Sequence, residues 1–303
     1  MIKKPVIFVF CFMLLMAALP ISSSADMGPK PSVVIDFIGL SGETYYATLL
    51  SSVESTGPYS ALSFSKREKP YLDDRALYYG EKDYSVYLEF LDFKDADDYY
   101  FLQYFQDCSE SHRFSWTYYP PRNFKILLYF PEKDSFVVSS ATYDRYAFDS
   151  YFTATVDSEV RPNTIYYDYL GARESYDYSG EALSLIVRII LTVAIELLIA
   201  LIFAFRNKKQ LLFILITNLI TQIGLNVALN VINFYNGAMA FVFFYILLEL
   251  LVFTVEAILY TVFLRKHSEA IISKWRTITY ALVANAASFA AGLGLAYIIP
   301  GIY

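Results

Sequence analysis

Three glutamates stand inside otherwise apolar runs of this 303-residue chain: Glu196, Glu249 and Glu256. A carboxyl in such surroundings is costly unless it is partnered, so it marks a place where chemistry or tight association is built. Glu249 and Glu256 are two helical turns apart and share a helix face, which Tyr245 and Tyr260 extend. Arg188, Thr192 and Glu196 follow one another at steps of four, again along one face. Asn218, Gln222, Asn226 and Asn230 repeat that step in the next run, and Asn285, Ser288 and Gly292 follow at steps of three and four in the last. Counted from the basic ends of their runs, Glu256, Asn218 and Asn285 fall at one depth, within about 2 Å at a rise of about 1.5 Å per residue. Glu249 falls nearer Gln222 and Asn226. The pattern predicts a polar seam in which the glutamates bond to the Asn/Gln ladder, with Arg188 or a cation as counter-charge. Three uses stay open. The seam holds helices together through amides and carboxylic acids, it carries a proton or cation, or it couples the helices to a partner membrane protein.

Other residues could do chemistry outside these runs. Trp116, Tyr118 and Tyr119, in the run Trp116-Thr117-Tyr118-Tyr119-Pro120-Pro121, form a candidate face for stacking sugar rings or gripping an extended peptide. The acidic stretch Asp92 to Asp98 offers oxygen ligands, but it lacks the glycine and distal glutamate of a calcium loop and reads as a solvated loop. Cys108 and His112 lie four apart without a second cysteine, which favours a structural role. The apolar runs hold no His and no Asp, against intramembrane metallo- and aspartyl-protease chemistry, and no phosphate-binding glycine loop occurs. No catalytic residue, metal or cofactor is therefore expected.

The elements that must position the seam are four apolar runs, at about 183–205, 211–235, 239–264 and 277–299. Each is long enough for the roughly 20 residues of a membrane crossing. Arg206, Lys208 and Lys209 lie between runs one and two, and Arg265, Lys266, Lys274 and Arg276 between three and four. The turn at Asn236-Gly237 is uncharged. The positive-inside rule puts both basic loops in the cytoplasm, and residues 26–181 with the C-terminus outside. Residues 1–25 carry Lys3 and Lys4, an apolar stretch from Val6 to Ala18, Pro20, and small residues up to Ala25, the pattern of a cleaved secretory signal.

Composition agrees with this division. The chain is 56% hydrophobic with a net charge of −6, which argues against a purely soluble enzyme and a basic nucleic-acid binder. The segment 26–181 is strongly acidic, the remainder basic. Most of the 28 tyrosines fall in that acidic segment, where aromatic side chains can build a core without disulfides. Alternation in Val33-Ile35-Phe37, Tyr45–Leu49, Ser85–Phe90, Tyr99–Phe105, Arg113–Tyr119, Asn123–Phe130, Phe136–Ser140 and Tyr146–Val156 predicts seven to nine short strands. The turn signals between them include Gly57-Pro58 and Pro120-Pro121. The expected fold is multi-domain: an exported all-β, immunoglobulin-like sandwich at 26–156, a juxtamembrane linker at 157–181, and a four-helix transmembrane bundle at 182–303.

The run Lys125-Ile126-Leu127-Leu128-Tyr129-Phe130-Pro131-Glu132 with Phe136-Val137-Val138-Ser139 resembles uncharacterised clostridial and other Gram-positive membrane proteins. The pattern Glu249…Glu256…Tyr260 followed by Asn285…Ser288-Phe289…Gly292 does likewise. The resemblance implies a signal peptide, an exported β-domain and four C-terminal transmembrane helices, with no assigned activity. The functional expectation is a cell-envelope protein whose outer domain binds a carbohydrate, a peptide or a protein partner, and whose helices anchor it in the lipid bilayer or relay to a membrane-protein partner or a second copy. The alternative is a component that passes a proton, cation or small solute along the seam.

Overall fold

The computed structural model describes residues 28–54, 74–76, 79–156, 160–266 and 271–298. The expected signal segment 1–25, the Gly57-Pro58 turn and the end of the last apolar run at Ile299 lie outside the described residues. A sheet-rich N-terminal region is followed by long helices. The strands are β1 (Ser32–Ile38), β2 (Tyr46–Ser51), β3 (Tyr100–Phe101), β4 (Gln106–Asp107), β5 (Arg113–Trp116), β6 (Asn123–Phe130), β7 (Ser135–Val138), β8 (Tyr143–Asp144), β9 (Asp149–Val156), β10 (Ile165–Tyr166) and β11 (Leu170–Glu174). One sheet has the order β11-β9-β1-β5 and the other β10-β7-β6-β2-β3, with β4 paired to β2 and β8 to β6. The β1–β9 and β10–β7 pairs are parallel, and the other pairs antiparallel.

Alternation explains how the sheets meet. Val33, Ile35 and Phe37 project from one face of β1, and Phe124, Ile126, Leu128 and Phe130 from one face of β6, into a common core. Aromatic edges fill it: Phe124 meets Phe152 at 5.6 Å and 89°, and Phe37 meets Tyr45 at 5.7 Å and 88°. Cys108 is a free, buried thiol in the same core. Burial, with Asp107 beside it, pushes that thiol up to about 12.

The other face of β6 is buried as well. Leu127 and Tyr129 join Tyr46, Leu50, Phe136 and Val138 beneath a helix, α1 (Tyr84–Asp92). The sequence reads residues 85–90 as a strand because Val86, Leu88 and Phe90 alternate. The helix instead buries Val86, Tyr87 and Phe90, the spacing of one helical face, and leaves Leu88 half-buried. The region is therefore not all-β. Tyr99–Phe105, expected as one strand, contributes only the two residues of β3.

The acidic stretch also departs from expectation. It is neither a cation loop nor freely solvated. Asp95 is buried and accepts from Lys125 Nζ at 2.9 Å, while Asp97 accepts from the same ammonium at 2.5 Å. Asp95 Oδ2 also takes the backbone N–H groups of Asp97 and Tyr99, and Lys125 lies 5.0 Å from the Tyr99 ring centre. Burial alone would lower the Lys125 ammonium, but its hydrogen bonds to Asp97 and Asp95 outweigh that and hold it above its ordinary value.

Residues 157–181 are not a plain linker. Beyond 157–159, which lie outside the described residues, β10 and β11 join the two sheets. The chain then enters α2 (Tyr178–Ile202), whose N-cap Asp177 accepts from the Gly180 N–H at 2.9 Å. Next come α3 (Lys208–Lys266) and α4 (Lys274–Ile298). α2 and α3 are long and apolar enough to cross a membrane, with mean hydropathy 2.7 and 2.4. α3 carries the second and third apolar runs. It is broken at Gly237, where φ is 78° and ψ 176°. Contacts of Asn218 with Tyr260, Thr221 with Glu256 and Gln210 with the Leu264 carbonyl show its two halves running back alongside each other. Basic residues close the helix ends. Arg276 Nε donates to the Phe203 carbonyl and Arg265 Nε to the Ile272 carbonyl, each at 3.0 Å.

Replacing Asp95 with Ala leaves the buried Lys125 ammonium with the exposed Asp97 as its remaining acidic partner and frees the Asp97 and Tyr99 N–H groups, and should cost about 1–3 kcal/mol, read as a lowered melting temperature of the full-length protein. Because the Lys125 ammonium is raised on folding, its contribution is complete below the ordinary lysine value of about 10.4 and is lost as pH climbs past it. A melting series from pH 7 to 11 should therefore lose the wild-type advantage over Lys125→Met only at its alkaline end. Cys108 should resist iodoacetamide at pH 8 in the folded protein and react once the chain is denatured.

Candidate functional site

The helices bury polar side chains and expose apolar ones. Ile190, Ile202 and Val262 are 64%, 79% and 67% exposed, whereas Glu196, Asn218 and Glu256 are fully buried. Helical periodicity explains the inner set. Ile214, Asn218, Gln222, Leu225, Asn226 and Leu229 form one stripe on the first half of α3, and Phe241, Tyr245, Val252, Glu256, Tyr260 and Leu264 form one on the second.

Glu256 is the junction of this interior. Its Oε1 accepts from the Thr221 hydroxyl and its Oε2 from the Asn285 amide, both at 2.7 Å. The carboxyl thus joins the two halves of α3 to α4. Asn218, expected at the level of Glu256, donates to the Ile214 carbonyl and to the Tyr260 oxygen instead. Glu196 brings α2 into the cluster. Its Oε1 accepts from Ser288 at 3.5 Å, a long bond, and its backbone carbonyl accepts from the Tyr280 hydroxyl. Asn218 lies beside Glu196, and Glu196 and Glu256 are near enough to interact electrostatically. Three oxygens here have no hydrogen-bond partner: Glu196 Oε2, Asn218 Oδ1 and Asn285 Oδ1.

Further along the helices is a cavity of about 20 Å³, room for one water molecule. Arg188, Thr192, Gln222, Asn226, Glu249 and Ser288 line it. Arg188 is buried and donates to Asn230 Oδ1 at 3.3 Å. The Asn226 amide turns back to the Gln222 carbonyl at 2.8 Å. Glu249 is half-buried beside Tyr245, whose hydroxyl bonds it. The sequence seam thus divides into a cluster at Glu196–Glu256 and a cavity at Arg188–Glu249, with Ser288 touching both. Glu249 lines the same cavity as Gln222 and Asn226.

Of the aromatic group Trp116, Tyr118 and Tyr119, Trp116 does not face solvent. Trp116 is 2% exposed because the alternation of β5 turns Phe114 and Trp116 together into the core. Its Nε1 donates to the Tyr118 carbonyl at 2.8 Å, and its ring lies 4.7 Å from that of Tyr104. Tyr118 and Tyr119 are half-buried, and meet edge to face at 5.0 Å.

A different aromatic group joins the two regions. The Phe148 N–H donates to the Phe234 carbonyl at 2.8 Å. The Phe234 ring lies 5.1 Å from Tyr176 and 6.3 Å from Tyr146. Gly237 is buried under Phe148: a Cβ there would sit 2.6 Å from the ring. Next to this contact a cavity of about 390 Å³ opens between sheets and helices. Its walls include Tyr151, Tyr176 and Phe234, with the carboxyls of Asp149, Asp177 and Glu181. Burial and the Glu181 carboxylate hold the Tyr176 hydroxyl well above its ordinary value, so it is a neutral hydrogen-bonding group there. The sequence shows an uncharged turn at Asn236-Gly237 but carries no signal that pairs Phe148 with it.

No family model, no curated protein and no solved structure matches this chain.

Gly237→Ala meets both a left-handed φ and the Phe148 ring, and should cost about 1–3 kcal/mol. Thermal melting of the full-length variant measures it. Adding Phe148→Ala should return the steric part of the loss and leave the backbone part.

Proposed function

We propose that the chain is an integral membrane protein of the cell envelope, whose sheet-rich region binds a ligand or protein partner outside and whose helices anchor it and relay the event. The observation that carries this reading is the cavity of about 390 Å³, walled by both regions at once. That volume lies within the range of ligand sites, about 300–1,000 Å³. A ligand held there touches Tyr151 on β9 and Phe234 at the helix break together, so binding bears on how the sheets sit over Gly237. Aromatic walls with carboxyl and hydroxyl groups suit a carbohydrate or a short peptide.

In this reading α2, the two halves of α3, and α4 cross the bilayer as a four-helix bundle. The apolar exterior and polar interior of the helices, the reverse of a soluble bundle, support it. The sheet-rich region and the C-terminus face outward, and the basic residues near Arg206 and Arg265 face the cytoplasm. The two sheets around one core support a sandwich of immunoglobulin-like kind. The parallel β1–β9 pair and the cover of α1 are additions to the plain antiparallel form. The partner is a second membrane protein or a second copy of this chain. The buried oxygens around Glu196 and Glu256 favour a second reading, passage of a proton, cation or small solute along the interior.

Single cysteines at Asp36 and Lys274, on a chain lacking Cys11 and Cys108, test the topology. A membrane-impermeant maleimide should label position 36 in intact cells, and position 274 only after permeabilisation. Equal labelling of both in intact cells removes the proposed orientation. Screening full-length protein in lipid nanodiscs against glycan and peptide arrays tests the binding role. A hit should slow amide exchange at residues 234–240 in the wild type but not in Phe148→Ala. Binding without any change at 234–240 removes the relay.

A further inference from the structure

Glu196 Oε2, Asn218 Oδ1 and Asn285 Oδ1 are buried in the helical interior without a hydrogen-bond partner, on side chains linked through contacts with Glu196 and Glu256. All three residues are at least 95% buried, as is Glu256. The neighbouring amides have other partners: that of Asn285 serves Glu256 and the Ala281 carbonyl, and that of Asn218 serves the Ile214 carbonyl, Tyr260 and the Glu196 carboxyl, while Gln222 Nε2, one turn from Asn218, is a buried donor with no partner. Buried acceptors are nearly always satisfied in native proteins, so a clustered set of three calls for a positive partner. The one basic side chain within the apolar runs, Arg188, is eight residues from Glu196, about 12 Å along the helix, and donates to Asn230.

We infer that Glu196, Glu256, Asn218 and Asn285 form a binding site for a small monovalent cation of the sodium class. Carboxylate and amide oxygens are the ligands that hard cations take. Among the described residues no base stands beside the two carboxyls, so a cation bound there is what would hold them ionised. A magnesium ion keeps several of its waters, and the adjoining cavity of about 20 Å³ has room for one. A monovalent ion can exchange its waters for the four side chains. Ser288, which touches both Glu196 and that cavity, lies on the way in from the Arg188–Glu249 level. The inference deepens the second reading above by naming its ion, and concerns occupancy, which does not require flux.

The test is thermal melting of purified full-length protein in detergent, titrated with NaCl against choline chloride at constant ionic strength, with KCl as a second comparison. Sodium should raise the wild-type melting temperature saturably, by about 3 °C or more, and potassium by less. Glu196→Gln keeps the shape but removes a charge, and should lose the sodium increment; Glu249→Gln, outside the cluster, should keep it. Where Glu196→Gln fails to fold, Asn218→Leu and Asn285→Ala serve, each weakening the sodium midpoint at least tenfold. A wild-type melting temperature indifferent to the choice among sodium, potassium and choline overturns the site, as does an increment that survives Glu196→Gln. A proton or a water held there alone gives that same indifference. Sodium flux into proteoliposomes is measured alongside. A sodium-dependent melt without flux keeps the site and removes transport, while loss of the sodium effect leaves the ligand-binding role of the outer region untouched.

Discussion

A carboxyl group with nowhere to go for water organises the helical half of this protein. Glu256 is fully buried, and both its oxygens are taken by donors on other segments, Thr221 and Asn285. Sliding either helix by one residue would separate those atoms and leave a polar group stranded among apolar neighbours. The register of three helical segments is therefore set at one side chain. Apolar contacts alone, being non-directional, would set it far less sharply. Tyr260 meeting Asn218 one turn away and Gln210 meeting Leu264 two turns away follow from the same alignment.

The sheet-rich half depends on a different constraint, the absence of any covalent brace. Cys108 is buried and free, so stability comes from apolar area and from the way aromatic rings tile it. Phe90, Tyr129 and Phe136 meet one another at 4.6–6.2 Å between β6, β7 and α1. Lys125 and Asp95 sit beside that layer as a buried ion pair. Both halves thus place charge inside and satisfy it with a few directed bonds.

What could be read from the sequence depended on the range of the cause. The polar stripes of the helices are set by helical period, a local property, so Glu196, Glu256 and Asn285 were legible as inward-facing residues. Which side chain meets which acid was not, because Thr221 rather than Asn218 reaches Glu256, a choice made by packing between the helix halves that residue counting does not contain. Strands β1, β2, β6 and β9 were legible by alternation. The helix at Tyr84–Asp92 was hidden because Val86, Leu88 and Phe90 satisfy a strand period too, and the layer it covers decides between them. Trp116 was misjudged for the same reason. Its neighbours Tyr118 and Pro120 suggest a surface, but the alternation of β5 starts at Phe114 and carries the indole inward. Phe148 against Gly237 joins residues 89 positions apart and leaves no local mark.

The short passage between β11 and α2 has a geometric consequence. Ser175–Asp177 is all that separates the last strand from the helix, and Asp177 is already the helix cap. Such a splice acts as a gear of fixed phase. One added residue would turn α2 by about 100° about its axis, swinging Glu196 off the interior and out among Ile190 and Leu198. Drift in length can therefore accumulate in the protein's outer turns but not at this joint, where the azimuth of a whole helix is written into the end of a sheet.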